Sequence, residues 1–465
     1  MLPSPHTYYY VSEIGLSEYH LVGPLPSSIG SFGHLTQLDL SKNRINGTIP
    51  STIGQLTSLA ALLLPVTALT GGLPEPLCQL RNLGQLAADS TMLGGTIPNC
   101  FGMLQSMQNM TLSNSALMGT IPASLGNITN LQRLLLGSNY LVGAIPSSIG
   151  EITSLRQFVV TDNYLMGAIP PNLVQLPDLW YLDLSVNGLN GSLPAFTNEA
   201  TKIAVLILEH NSLSGSLPPS IQNLRWVVNL ALDSNLLSGT LPESLGQLKL
   251  LRYLEVAHNR FSGSLPVSLA SLYRPVAINV EGNRLTGTIP DAFGNLTSLT
   301  EFIIQDNFIS GTIPASFGQL RSMQLLGLNY NFLTGSIPSG LGNWEAVIDV
   351  VLTENLLTGS IPEGISKLTL LAVLDLGYNY LTGSLPADIG NLVSCQYFVI
   401  PFNLLDGPLP NSFGKMEAMI EVEANGNLLT GQLPPLTNLA FLNLILLPSN
   451  RFTGTLAGVF NASTQ

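Results

Sequence analysis

A glycine returns at every 24th residue along almost the whole chain. The series runs without a gap from Gly23 to Gly431, and a nineteenth member, Gly454, follows at a spacing of 23. A period of this length marks a stacked solenoid, in which each unit packs only on its neighbours. The 465 residues therefore form one array and not the roughly three globular domains suggested by length alone. The array also explains a composition with 45% hydrophobic and only 9% charged residues, because most positions belong to core or turn.

Around each glycine the same pattern is written. In the stretch from Leu371 to Leu392, Leu371, Leu374 and Leu376 give the spacing LxxLxL, then come Asn379, Leu381, Gly383, Leu385, Pro386, Ile389 and Gly390. The LxxLxL part alternates as a strand with one buried face, and such strands stack as a parallel sheet when the connections return on the other side. The Asn both donates and accepts, so it suits the backbone groups of the turn. It is present in all fourteen repeats from Asn139 to Asn450, whereas Thr67, Thr91 and Ser115 hold the position earlier. The glycine permits a tight turn. The Ile/Leu-Pro pair reads as a short extended segment, followed by a turn of 3₁₀ helix. The expected fold is an α/β-type repeat solenoid of about 19 repeats, with residues 1–10 as a lead-in, 11–456 as the array and 457–465 as a tail. Neither end shows a polar cap, so the expectation is a fragment or a gene model lacking its ends.

The pattern LxxLxLxxNxLxGxIPxxLGxL resembles the plant-type leucine-rich repeat, most closely at 131–150, 299–318 and 371–390, and the resemblance covers nearly the whole chain. It implies a horseshoe with a parallel β-sheet on the concave face, and short 3₁₀ turns and second strands on the convex side. It also implies a non-catalytic recognition domain like the ectodomains of receptor-like kinases and receptor-like proteins, with a peptide or protein ligand, a co-receptor as further partner, and an extracellular or cell-surface home. An intracellular or structural interaction scaffold is the alternative, and a secreted inhibitor of a wall-degrading enzyme a weaker one. No HRD, DFG or VAIK-like kinase element is present, nor HExxH, GxSxG or a phosphate-loop pattern. No cofactor or metal is expected.

The five x residues of LxxLxLxxN carry any partner specificity. Acidic residues outnumber basic ones there by 17 to 4, which suits a basic ligand and, with a net charge of −12, argues against nucleic acid. Trp180, Tyr181, Glu209, His210, Asp233, Arg252, Tyr253, Glu255 and His258 gather in repeats eight to eleven, with the aromatic groups about 14 Å apart by strand spacing. Tyr330 and Tyr378 extend the row formed at the last x position. These are the candidate ligand-binding residues, because Trp, Tyr and Arg are the usual binding anchors. Asp233 and Ser234 with His210 and His258 contain nucleophile ingredients, but a flat sheet offers no pocket for catalysis.

Six N-x-S/T sites fit an extracellular home: Asn46, Asn109, Asn127, Asn190, Asn295 and Asn461, although the repeat grammar itself generates NGT, NGS and NLT. Cys78 and Cys100, in adjacent repeats, are candidates for a disulfide, and Cys395 sits at a core leucine position. No apolar run reaches the roughly 18 residues of a membrane span, and the first ten residues lack the signature of a signal peptide.

Overall fold

Every repeat makes one short first strand, then one short return strand and, in most cases, one turn of 3₁₀ helix that leads to the next repeat. The computed structural model describes residues 10–460. These belong to two compact units, Met1–Val227 and Val228–Gln465. In the first unit nine first strands, from Glu13–Gly15 to Val205–Ile207, pair in parallel and in sequence order. In the second unit ten do so, from Asn229–Ala231 to Leu444–Leu446. The register is the repeat itself: Gln37 faces Ala61 and Val373 faces Tyr397.

The core follows from the leucine columns. Leu371, Leu374, Leu376, Leu381, Leu385 and Ile389 are all buried. Each contributes about 1.5–3 kcal/mol on burial, and only stacked neighbours can cover that much apolar face. In the second unit Phe293, Phe302 and Phe317 meet edge to face, with centroids 5.9 and 5.7 Å apart. Pro362 is extended, at φ −70° and ψ 143°, and its 3₁₀ turn Glu363–Lys367 points Ile365 into the core. The return of repeat eight, residues 193–204, has no such helix. Phe196 fills the core there, and the Gln175 side chain holds Thr197 and Asn198 by their backbone N–H groups.

The asparagine ladder is built as its chemistry demands. Asn379 Nδ2 donates to the carbonyls of Leu352, Leu376 and Gly377 at 3.0, 3.2 and 2.9 Å, and its Oδ1 accepts the Leu357 N–H at 3.0 Å. One amide thus joins two coils. Thr67 donates only to the Leu64 carbonyl, at 2.9 Å. The marker glycine is required twice over at Gly335: φ is +74°, and a Cβ would lie 2.8 Å from Thr312 Cγ2.

Two features differ from the reading that all five x residues are open to a partner. The fourth x position is often buried: Ser185 is 4% and Ala257 3% exposed. The third x carboxylate turns back on it. Asp39, Asp183 and Asp375 accept the N–H two residues on at 3.0, 3.0 and 3.1 Å. Asp89 accepts the Ser113 N–H of the next coil at 2.8 Å. Several of the face's acids are therefore frame, committed to backbone donors. The last x position is left-handed, with φ +52° at His210, +50° at His258, +53° at Tyr330 and +51° at Tyr378.

The second strands pair on a different offset from the first. Met118 faces Tyr140 and Met166 faces Gly188, 22 residues apart.

Candidate functional site

The open face of the first-strand sheet carries the candidate binding residues, and each unit holds its own set. In the first unit Trp180 is 41% exposed and meets the half-buried Tyr181 edge to face at 5.5 Å. Burial, with Asp183 next, raises the Tyr181 phenol above its ordinary pKa. Tyr181 stands between Gln157 and Val205 in the sheet. Glu209 is half-buried and His210 exposed.

In the second unit Tyr253 stands between Asn229 and Ala277, and Glu255 between Ala231 and Asn279. Arg252 and Tyr253 are exposed. The Asp233 carboxylate accepts the Ala257 N–H at 2.5 Å, so it braces the coil that carries His258. His258 Nε2 lies 3.8 Å from a Glu281 carboxylate oxygen, and its ring covers Gly282, where a Cβ would fall 2.5 Å from Nδ1. Tyr378 stacks on Phe402 with centroids 4.7 Å apart and planes at 26°. The Phe402 ring in turn covers Gly426, and Tyr330 is exposed.

Acidic groups on the same face are shifted upward. Burial raises Asp349 and Asp375, and burial followed by the neighbouring Glu421 raises Glu423. Asp375 lies beside Val351 and Val399, and Glu423 beside Val399. Val351 and Val399, an apolar column at the middle x position, therefore set the local medium of Asp375 and Glu423.

Cys78 and Cys100 form a disulfide across adjacent coils, with Cα atoms 5.8 Å apart. Cys395 is buried and its thiol is pushed up to about 12 by that burial. Asn46, Asn127, Asn190 and Asn295 are exposed, Asn109 is half-buried on the first-strand face, and Asn461 lies outside the described residues. Among the described residues, no helix is long and apolar enough to cross a membrane.

A second exposed column escaped sequence reasoning. The residue after the ladder Asn projects outward at or just before the return strand: Tyr140 and Tyr164 in the first unit, Phe308, Phe332, Leu356, Tyr380 and Leu404 in the second. Tyr140 stacks on Tyr164 at 6.3 Å, and Phe308 on Phe332 at 6.2 Å. The signal was the large apolar residue directly after Asn.

The sequence matches the family profile described as leucine-rich repeat region over residues 14–190. Further leucine-rich repeat profiles match residues 276–333, 202–224, 250–272 and 370–392. The chain belongs to the leucine-rich repeat family. No curated protein sequence matches it. Among solved structures, it is similar to the ectodomain of the plant membrane receptor kinase GASSHO1/SCHENGEN3 from Arabidopsis thaliana, in complex with CASPARIAN STRIP INTEGRITY FACTOR 2. The identity is 30% and the TM-score 0.89, over 97% of this chain and 57% of that one. This leucine-rich repeat chain thus spans little more than half of that ectodomain. It is also similar to the plant peptide hormone receptor RGFR1 in complex with RGF2, at 31% identity and TM-score 0.78, over 95% and 78% of the two chains. A third neighbour is the Arabidopsis receptor kinase HAESA in complex with the peptide hormone IDA and the co-receptor SERK1, at 29% identity and TM-score 0.65, over 95% and 87%.

Proposed function

We propose that this leucine-rich repeat chain is a non-catalytic recognition domain, the extracellular sensor of a receptor-like protein or receptor-like kinase. Its first-strand face, the concave face of this repeat class, takes a peptide or protein ligand of basic character. The observation that carries the reading is the division of labour along that face. Ladder Asn and third-position Asp are spent on backbone groups, while Trp180, Arg252, Tyr253, Tyr330 and Tyr378 stand exposed in the variable columns. Exposed aromatic and Arg side chains are the usual anchors of a bound partner. Neighbours of the same fold are peptide-hormone receptors, which supports the ligand class and a co-receptor as second partner. The Cys78–Cys100 disulfide and the exposed N-x-S/T sites support an oxidising, extracellular setting.

The test is a screen of basic peptides against the secreted chain. Trp180→Ala in the first unit, or Tyr253→Ala in the second, should weaken the selected binder by about tenfold or more. Unchanged affinity would remove these residues from the site. Glycan mapping runs beside it: occupancy is expected at Asn46, Asn127, Asn190 and Asn295, and a secreted chain without any glycan would count against the extracellular assignment.

A further inference from the structure

The exposed aromatic column of the first unit stops abruptly. Tyr140 and Tyr164 stack with centroids 6.3 Å apart and planes at 13°. The next member of the column is Gly188, which brings no side chain, and the one after it is Ser212. One step of the column is therefore unfilled, and one face of the Tyr164 ring lacks a stacking neighbour from this column. The gap is a shallow, open depression of ≈ 360 Å³ lined by Asn163, Tyr164, Met166, Val186, Asn187, Gly188 and His210. The φ of Gly188 lies outside the left-handed region, but a Cβ there would sit 3.2 Å from the Leu165 carbonyl oxygen and 3.3 Å from Met166 Cγ. Its pairing partner across the strands is Met166.

The slot's polar walls are already spent. Asn163 Nδ2 donates to the carbonyls of Leu136, Val160 and Thr161, and its Oδ1 accepts the Leu141 N–H. Asn187 makes the same four bonds, to Val160, Leu184, Ser185 and Leu165. What remains for a ligand is the Tyr164 ring, the Met166 thioether, the Val186 methyls and the His210 imidazole. A flat ring suits this set, because it stacks on Tyr164 and meets sulfur at its edge. The rim is acidic. Asp162 and Glu209 directly precede the lining residues Asn163 and His210, and no Lys or Arg occupies the last two x positions of repeats six to nine.

We infer that the Gly188 gap is a binding slot for an aromatic side chain of an extended peptide that carries Lys or Arg beside it, the guest ring taking the missing step of the Tyr140–Tyr164 stack. The inference rests on the recognition role proposed above, but it places this contact between the return strands and the last x residues Val186 and His210, with neither Trp180 nor Tyr253 in its lining.

The experiment uses the full 465-residue chain and two probes, N-acetyl-Phe-Arg amide and N-acetyl-Ala-Arg amide, followed by ligand-observed NMR titration. The Phe probe should bind saturably and about tenfold more tightly than the Ala probe, as expected for burying one ring. Its binding should weaken in high salt. Gly188→Leu, which fills the slot, and Tyr164→Ser, a change at an exposed position, should each lower its affinity by about tenfold. The Tyr164 variant keeps the test valid if Gly188→Leu misfolds. Tyr253→Ala should leave the probe unaffected. No saturable binding, equal binding of the two probes, or Phe-probe binding indifferent to Gly188→Leu and Tyr164→Ser would overturn the slot. Loss of probe binding on Tyr253→Ala would also overturn it, while leaving the first-strand recognition reading in place.

Discussion

A single amide at Asn355 joins two coils. Its Nδ2 donates to Leu328, Leu352 and Thr353 carbonyls at 3.0, 3.1 and 3.3 Å, and its Oδ1 accepts the Leu333 N–H at 3.0 Å. Replacing it by leucine keeps roughly the volume but strands these buried groups. Asn355→Leu should cost about 3 kcal/mol or more, at about 1–3 kcal/mol for each group left unpaired. The converse change is available in the first unit, where Thr67 is buried and donates only to Leu64. Thr67→Asn restores the amide that the later repeats use and should gain about 1 kcal/mol. Chemical denaturation of the two variants checks both signs. A neutral Asn355→Leu would mean that water or relaxation replaces the ladder at that coil.

At the scale of the element, the frame was open to sequence reading because each position is written many times. The strand, the ladder Asn, the extended Pro and the 3₁₀ turn all follow from local chemistry with a period of 24. What escaped depends on how one coil sits on the next. First strands pair 24 residues apart, but return strands pair 22 apart, so Gly188 faces Met166, a neighbour that the repeat alignment does not suggest. The left-handed turn at the last x position also hides, because Val66, His210 and Tyr330 all adopt it, and none is a residue that announces a positive φ. The acidic count was misleading for the same reason: Asp39, Asp183 and Asp375 look free in the sequence but cap the backbone of their own turn. The disulfide belongs to this scale too. It clips together the 3₁₀ turns Glu75–Gln79 and Asn99–Met103, 22 residues apart in sequence. Closing a loop of that size constrains the unfolded chain by roughly 3 kcal/mol. Cys100→Ser should lower stability by about that amount. The loss should appear in hydrogen exchange at the first few coils of the Met1–Val227 unit, and a uniform loss along the chain would contradict a local clip.

At the scale of the molecule, a net charge of −12 must be carried by a chain whose variable face also holds an apolar column. The cost shows in the second unit, where burial holds Asp349, Asp375 and Glu423 above their ordinary carboxylate values. A carboxyl with a raised folded pKa binds its proton more tightly in the native state than in the unfolded one. Its stabilising contribution is therefore present below the unfolded value and is lost as pH rises through the raised folded value. Glu18 and Asp178, lowered by hydrogen bonds to Lys42 and Lys202, act in the opposite sense, but these are surface pairs screened by solvent. Glu243, lowered by its hydrogen bonds to Ser268, also opposes the trend. Asp375→Asn isolates the effect, because the amide oxygen can still accept the Gly377 N–H that Asp375 accepts at 3.1 Å. The variant should melt above the parent at neutral pH, and the gap should close as pH falls toward the ordinary carboxylate range of about 4. A gap in Tm that is the same at both pH values would rule out burial of the charge as its cause. Binding of a basic peptide follows the opposite slope, since the same carboxylates attract it only when ionised. Asp375→Asn should therefore weaken such a ligand at neutral pH while stabilising the fold. That pairing separates a face that tolerates buried charge for its partner from one that is merely acidic.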